Sequence, residues 1–257
     1  MFSVTTLFNY ALMVMLLLAL VVFFALFKID AAYGFFRSKT WGPCIPNKVG
    51  WFLMEFPVLA IFSILFLYSE RSQSSVFIVF FLIFQLHYLH RTFVFPLLMR
   101  GKSRMPISIV LMGASFNTIN AFLQGGWLFY IAPENYYNAN WLTSPLFIIG
   151  FAIFLCGMWI NIQSDAIIRN LRKPGDNNHY MPKAKWFKRV SSANYFGECI
   201  EWLGFACLTY SLSGLVFFIW TFANLAPRAI RLNKSYQERF PVDFQEHKPK
   251  AIIPFIL

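Results

Sequence analysis

The chain has 257 residues, of which 58% are hydrophobic and only 13% charged, with a formal net charge of +11. A soluble domain carries about twice that charged share, so the proportions exclude an ordinary water-soluble fold and indicate a multi-pass membrane protein. The positive balance does not require nucleic acid, because the basic residues fall in short connections between apolar runs, where the positive-inside bias accounts for most of them.

A spanning helix needs about 20 apolar residues. Such runs occur at 7–27, 50–68, 75–99, 106–131, 144–168, 192–208 and 211–233, the sixth being short and polar. No basic start precedes the first run and no cleavage site follows it, so it reads as a retained span and not a signal peptide. The break between the last two falls near Ser211-Leu-Ser-Gly214. Cys44, Cys156, Cys199 and Cys207 show no metal or redox spacing and imply no disulfide framework.

The 22 Lys and Arg residues test this division. The 28–49 connection holds Lys28, Arg37, Lys39 and Lys48, whereas 69–74 holds only Arg71. Arg100, Lys102 and Arg104 follow the third span, and 132–143 has no basic residue. Seven cations fall in 169–191 (Arg169, Arg172, Lys173, Lys183, Lys185, Lys188 and Arg189), none near 209–213, and six from Arg228 onward. Basic and non-basic connections alternate, as seven spans with an outside N-terminus and a cytoplasmic C-terminus require; six spans would break the alternation. The expectation is an all-α, seven-helix membrane bundle. The linkers are too short to fold separately, so residues 1–257 form one domain. Lys173-Pro-Gly-Asp176 marks a turn in the largest late loop.

Four carboxylates fall inside spans: Glu55, Asp165, Glu198 and Glu201. Their candidate partners are His87, His90, Arg91, Asn117, Asn120, Gln124, Asn161 and Asn224. Any one of these alone reads as an interhelical hydrogen bond, but the set indicates a functional site, since intramembrane ionisable groups are costly. In Asn194-Tyr-Phe-Gly-Glu-Cys-Ile-Glu-Trp202, helical spacing puts Asn194, Glu198, Glu201 and Trp202 on one stripe, the wall of a polar cavity. Asn161, Asp165 and Arg169 recur at four-residue steps and Arg172 continues the line. That line reads either as a helix ion pair with a snorkelling arginine or as a groove ending in phosphate-binding cations. With Tyr180, Arg228 and Tyr236 nearby in the loop and tail, the second reading suits a long anionic cofactor.

His87-Tyr-Leu-His-Arg-Thr-Phe93 is the densest polar block of the third span. Its two histidines lack a suitable third ligand, so no metal is expected. Glu55 lies at a comparable depth on the preceding span. A carboxyl buried in apolar surroundings favours its neutral form, and beside a Tyr88 hydroxyl it is equipped to polarise a carbonyl oxygen.

These residues resemble the steroid 5-alpha-reductase family. The matching runs are Trp51-Phe-Leu-Met-Glu55, His87–Phe93, Leu123-Gln-Gly125, Asn161-Ile-Gln-Ser-Asp165, Leu171-Arg-Lys-Pro-Gly175, Ala193–Trp202, Pro227-Arg-Ala229 and Ile253-Pro-Phe-Ile256. They cover nearly the whole chain in order. The resemblance implies a seven-helix membrane enzyme that uses NADPH to reduce the 4,5 double bond of 3-oxo-4-ene steroids. It implies that Glu55 and Tyr88 hold the steroid carbonyl while hydride passes to the enone β carbon. Asn161, Asp165, Arg172, Tyr180, Asn194, Glu198, Arg228 and Tyr236 would line the NADPH cavity, with Glu201 and Trp202 in the same motif. The substrate side would lie mainly in helices 1–4 and the cofactor side in helices 5–7. The expected surroundings are a bacterial inner membrane or the endoplasmic reticulum. The partners are membrane lipid and a steroid or similar lipid enone, with no nucleic acid and no obligate protein partner.

Met54 stands where animal members tend to have Gln, and Met112 and Leu232 where they tend to have Arg and His; Lys248 and Lys250 are alternatives for one cationic contact. These departures bear on specificity more than on reaction type. Competing readings are a reductase of another lipid enone, an isoprenylcysteine-type methyltransferase using S-adenosylmethionine, and a lipid-binding or transport protein. The cations Arg172 and Arg228 disfavour the methyltransferase, and the absence of an internal repeat disfavours the transporter.

Overall fold

Long apolar runs satisfy every backbone polar group internally by coiling into helices, and helices dominate the molecule. The computed structural model describes residues 3–29, 41–100, 103–171 and 180–257; Arg172 and the turn at 173–176 lie outside the described residues. In chain order the elements are α1 (Val4–Ala25), β1 (Cys44–Pro46), α2 (Asn47–Leu67), α3 (Ser75–Leu89), α4 (Phe95–Leu98), β2 (Arg104–Pro106), α5 (Ile107–Gly126), α6 (Pro145–Asn170), α7 (Ala193–Thr209), α8 (Leu212–Arg239) and α9 (Pro241–His247). One π turn, His90–Val94, joins α3 to α4, and another, Trp127–Ile131, extends α5.

Among the described residues, six helical stretches are long and apolar enough to cross a membrane: α1, α2, α3 through α4, α5 with its π turn, α6 and α8. The short, polar run expected at 192–208 forms α7, a helix of 17 residues. The break before the last helix comes at Tyr210, whose left-handed backbone (φ 43°) ends α7, so Gly214 lies inside α8. That helix also continues to Arg239, beyond the apolar span expected at 211–233. Hydropathy reports where apolar side chains stop, whereas a helix stops only where something breaks it, and the polar run after 233 contains no Gly or Pro before Pro241.

Backbone contacts divide the chain into two compact units. The first comprises Met1–Leu12, Ala31–Ile148 and Ser211–Ser213; the second comprises Met13–Asp30, Ile149–Tyr210 and Gly214–Leu257.

In the first unit, β1 and β2 pair antiparallel with Ile45 opposite Met105. Each strand leads directly into a long helix, so the pairing brings the starts of α2 and α5 together, and the two helices pack along each other. Met54 of α2 packs on Gly113 of α5, where a Cβ would collide with the thioether. Further along lies a phenylalanine core, with Phe62 stacked on Phe84 at 4.1 Å and Phe66 on Phe81 at 4.2 Å between ring centroids.

The end of α5 is held from the 69–74 connection. Ser69 Oγ donates to the Phe129 carbonyl at 2.9 Å, and Arg71 donates to the carbonyls of Leu128 (3.0 Å) and Ala132 (2.5 Å). Helix-terminal carbonyls lack intrahelical partners and carry partial negative charge, which explains a lone arginine in an otherwise non-basic connection. Arg71→Ala is expected to lower stability by about 2 kcal/mol, the scale of charge-assisted hydrogen bonds, read as a fall in the thermal midpoint in detergent.

In the second unit, α6 and α7 meet through glycines seven residues apart on each helix, Gly150 and Gly157 against Gly204 and Gly197. A Cβ at Gly197 would lie 2.5 Å from the Asn161 backbone nitrogen and 2.8 Å from the Gly157 carbonyl oxygen. A Cβ at Gly204 would lie 2.7 Å from the Gly150 carbonyl oxygen. Small residues let backbones approach this closely, and the seven-residue repeat keeps both pairs on one seam. The tail returns beside the entry to α7: Ser191 N–H donates to the Lys250 carbonyl (2.8 Å), and Asn233 Nδ2 donates to the Pro249 carbonyl (2.9 Å).

Candidate functional site

The polar residues singled out in the sequence fall into two groups, one in each unit. In the first, α2 supplies Glu55 and α3 supplies Tyr88, both buried. Neither stands alone against apolar helix, because α5 presents Asn117, Asn120 and Gln124 at steps of three and four, one face of the helix. Asn117 Nδ2 donates to the Met54 carbonyl at 2.8 Å and to Glu55 Oε2 at 3.0 Å. Asn120 Nδ2 donates to the Tyr88 hydroxyl oxygen at 3.2 Å. Gln124 Nε2 donates to Asn120 Oδ1 at 3.1 Å and to the Ser213 carbonyl at 2.9 Å. Both expected catalytic groups are therefore tied to one row of carboxamides. The sequence marked these amides only as partners; their three–four spacing was the readable signal, while Ser213 carried none.

His87 sits edge-on to Tyr88 with ring centroids 5.0 Å apart. Arg91 is buried in the π turn, its guanidinium 4.7 Å from the Trp51 ring and 4.5 Å from the Phe95 ring. Two aromatic faces offset part of the cost of burying that cation. π turns are frequent at functional sites because the extra residue rotates the following side chains relative to the preceding ones.

In the second unit, α6 and α7 share a second polar group. Asn161 Nδ2 donates to the Asn194 backbone carbonyl at 2.9 Å and approaches Glu198 Oε2 at 3.4 Å. Asn194 Nδ2 donates in return to Asp165 Oδ1 at 3.1 Å. Asn161 and Asp165 are buried, while Asn194 and Glu198 keep part of their surface open. The glycine seam is what makes these bonds possible, since Gly197 lies between Asn194 and Glu198 and directly faces the Asn161 backbone. The signal for these glycines in the sequence is their seven-residue spacing on both helices.

Glu201 is fully buried one turn below, its backbone against Gly157. Trp202 is enclosed by rings, with Phe217 at 4.3 Å, Phe205 at 5.7 Å and Phe154 at 6.3 Å between centroids. On α8, Arg228 and Tyr236 are both buried. Tyr180 lines an open cavity of about 590 Å³ together with Ile167, Met181, Lys183, Lys188 and Phe240. Lys183 binds Asp243 at its rim, and that carboxylate, with Glu246 at 3.8 Å, holds the Lys183 ammonium above its ordinary range. Arg172 lies outside the described residues.

The donor set of the second unit fits a phosphorylated dinucleotide. Amides and carboxylates are the groups that can bind a carboxamide and ribose hydroxyls, and a guanidinium such as that of Arg228 is the group that can bind a phosphate. An open cavity of this size accommodates a nucleoside. Among the described residues no group of three or more His, Cys, Asp or Glu is placed to hold a metal ion.

Comparison with known proteins gives the family. A family model described as 3-oxo-5-alpha-steroid 4-dehydrogenase matches residues 103–257. The chain is 39% identical to 3-oxo-5-alpha-steroid 4-dehydrogenase 1 of Mus musculus over 242 residues, covering 93% of both proteins. It is 39% identical to the Homo sapiens protein of the same name over 218 residues, 82% of this chain and 81% of that protein. It is 36% identical to steroid 5-alpha-reductase DET2 of Arabidopsis thaliana over 234 residues, 89% of this chain and 88% of the relative. The chain thus belongs to the steroid 5-alpha-reductase family of multi-pass membrane oxidoreductases acting on a CH–CH group.

Proposed function

We propose that the protein is an NADPH-dependent reductase of the 4,5 double bond of 3-oxo-4-ene steroids. The observation that carries this reading is the pairing of buried Glu55 and Tyr88 on one carboxamide row of α5. Bound NADPH supplies the hydride. Tyr88 and Glu55 donate hydrogen bonds to the enone carbonyl oxygen, so that electron density displaced from the double bond collects where two donors stabilise it. The β carbon would accept that hydride, the double-bond electron pair would shift through the α carbon onto the carbonyl oxygen, and the resulting enolate would take up a proton from solvent at the α carbon. Helices α2, α3 and α5 exclude water from these donors, which strengthens each bond.

For the cofactor, Asn161, Asp165, Asn194 and Glu198 form the polar wall, with Glu201 and Trp202 completing the motif behind it. Arg172, Arg228, Tyr180 and Tyr236 serve the phosphates and the nucleoside end. We further propose seven spans, α7 being the sixth in chain order, with the N-terminus outside and the C-terminus cytoplasmic. The alternation of basic connections supports that topology, and it makes the chain one transmembrane reductase domain, with substrate groups mainly in the first four spans and cofactor groups in the last three.

Cofactor titration tests the assignment. The purified protein is expected to bind NADPH and not S-adenosylmethionine; the reverse result would return it to methyltransfer. Arg228→Met is expected to raise the KM for NADPH by about 10- to 100-fold, the range of a lost charge-assisted contact, with a smaller change in kcat. An unchanged KM would remove Arg228 from the cofactor site.

A further inference from the structure

We infer that Asn120 and Gln124 of α5 are positioning residues that fix the direction in which the Tyr88 hydroxyl donates, an inference that rests on Tyr88 as the carbonyl-polarising group. A phenol can both donate and accept, so proximity alone does not say which way its proton points. The direction is set at the far end of the chain of bonds. The Ser213 carbonyl can only accept, so the group facing it at 2.9 Å is the amide nitrogen of Gln124. That same nitrogen donates to Asn120 Oδ1 at 3.1 Å. The Asn120 carboxamide is thereby oriented with its nitrogen toward Tyr88, 3.2 Å away. The Tyr88 oxygen accepts on that side and keeps its own proton for donation in another direction.

Burial makes this polarity strict. Gln124, Asn120 and Tyr88 are 1%, 2% and 2% exposed, so reversing Gln124 would set acceptor against acceptor at both of its contacts, and reversing Asn120 would set donor against donor at Gln124, in surroundings where unpaired polar groups are costly. The Gln124 Oε1 atom has no partner among the described residues, so both contacts that orient this amide are made by its nitrogen. Asn117 repeats the arrangement one turn earlier. Its nitrogen is fixed by the Met54 carbonyl, so Glu55 Oε2 is held as an acceptor and the carboxyl's proton belongs on the other oxygen. Each catalytic group thus takes its orientation from a backbone carbonyl through an amide.

The test compares wild type, Asn120→Ala, Asn120→Asp and Tyr88→Phe, purified in detergent, with NADPH and progesterone as the probe enone. Asn120→Ala is expected to lower kcat by about 10- to 100-fold, with KM for both reactants changed by less than about threefold, since only the orientation of the donor is lost. Asn120→Asp keeps the shape but puts a carboxylate against Tyr88, which captures the phenolic proton. Its kcat is expected to fall further at pH 7.5 and to recover on acidification, when the neutral carboxyl donates as the amide does. Glu55, His87 and Tyr88, the other titratable groups around this row, are shared with wild type, so the ratio of variant to wild type isolates position 120. If Asn120→Asp does not fold, Asn120→Ala decides alone. Wild-type kcat in Asn120→Ala, or an Asn120→Asp loss that is independent of pH, would overturn the inference. Full activity in Tyr88→Phe would instead remove the catalytic reading beneath it, so the two failures are distinguishable.

Discussion

Tyr88→Phe is expected to lower kcat by about 10²- to 10³-fold while leaving NADPH binding within about twofold of wild type, because it deletes one donor to the developing oxyanion. The ring keeps its contacts with Phe84 and His87, while the Asn120 amide loses its acceptor, so a stability loss of about 1–3 kcal/mol is expected without a change of fold. Glu55→Gln is expected to lose turnover as well, by about tenfold or more, since an amide is a weaker polarising donor than a carboxylic acid. Stopped-flow measurement of NADPH oxidation, with cofactor affinity measured separately, reads both. Retention of full turnover in the two variants would place the chemistry elsewhere.

The second large effect is expected in the other unit, at residues that touch no ligand. Gly157→Leu forces apart helices whose backbones already meet, since even a Cβ there would collide with the Glu201 backbone and the Gly197 carbonyl. Overpacking of this kind costs about 1–3 kcal/mol or more. The loss does not stop at stability. Separating α6 from α7 breaks the Asn161–Asn194 and Asn194–Asp165 bonds that build the proposed cofactor wall. NADPH affinity is expected to fall by more than about tenfold even in Gly157→Ala, where thermal stability falls less. Ile149, exposed and on the same helix, provides the control, and Ile149→Ala is expected to change neither quantity. Unaltered NADPH affinity in folded Gly157→Ala would contradict the coupling between seam and wall.

The sequence disclosed the spans more readily than the contacts between them. Apolar runs of sufficient length coil into helices wherever they lie, so the expected spans at 50–68 and 144–168 overlie α2 and α6 closely. The end of α8 was missed because hydropathy is silent about a polar helix continuing beyond its apolar part. Glu55 and Tyr88 stood out because ionisable and hydroxyl groups in apolar runs are costly. The α5 carboxamides were visible as a row, yet the direction of their bonds depends on the Ser213 carbonyl, 89 residues beyond Gln124, and no spacing rule reaches that far. Gly150, Gly157, Gly197 and Gly204 were passed over for the opposite reason. A glycine in a helix reads locally as a weakness, and its value here comes only from the helix on the other side. Trp202 shares a motif with Glu198, yet its ring sits among Phe154, Phe205 and Phe217, a packing role that its place in the motif does not announce.

The most direct measurement is the conversion of progesterone by the purified protein in lipid nanodiscs, with NADPH as the only reductant and the steroid product identified by mass spectrometry and chiral chromatography. Stoichiometric NADPH oxidation with formation of the 5α-reduced 3-oxo steroid is the predicted result. Reduction of a different lipid enone alone would keep the hydride chemistry and change the substrate. Binding of NADPH without oxidation in the presence of progesterone, testosterone and other lipid enones would contradict the account.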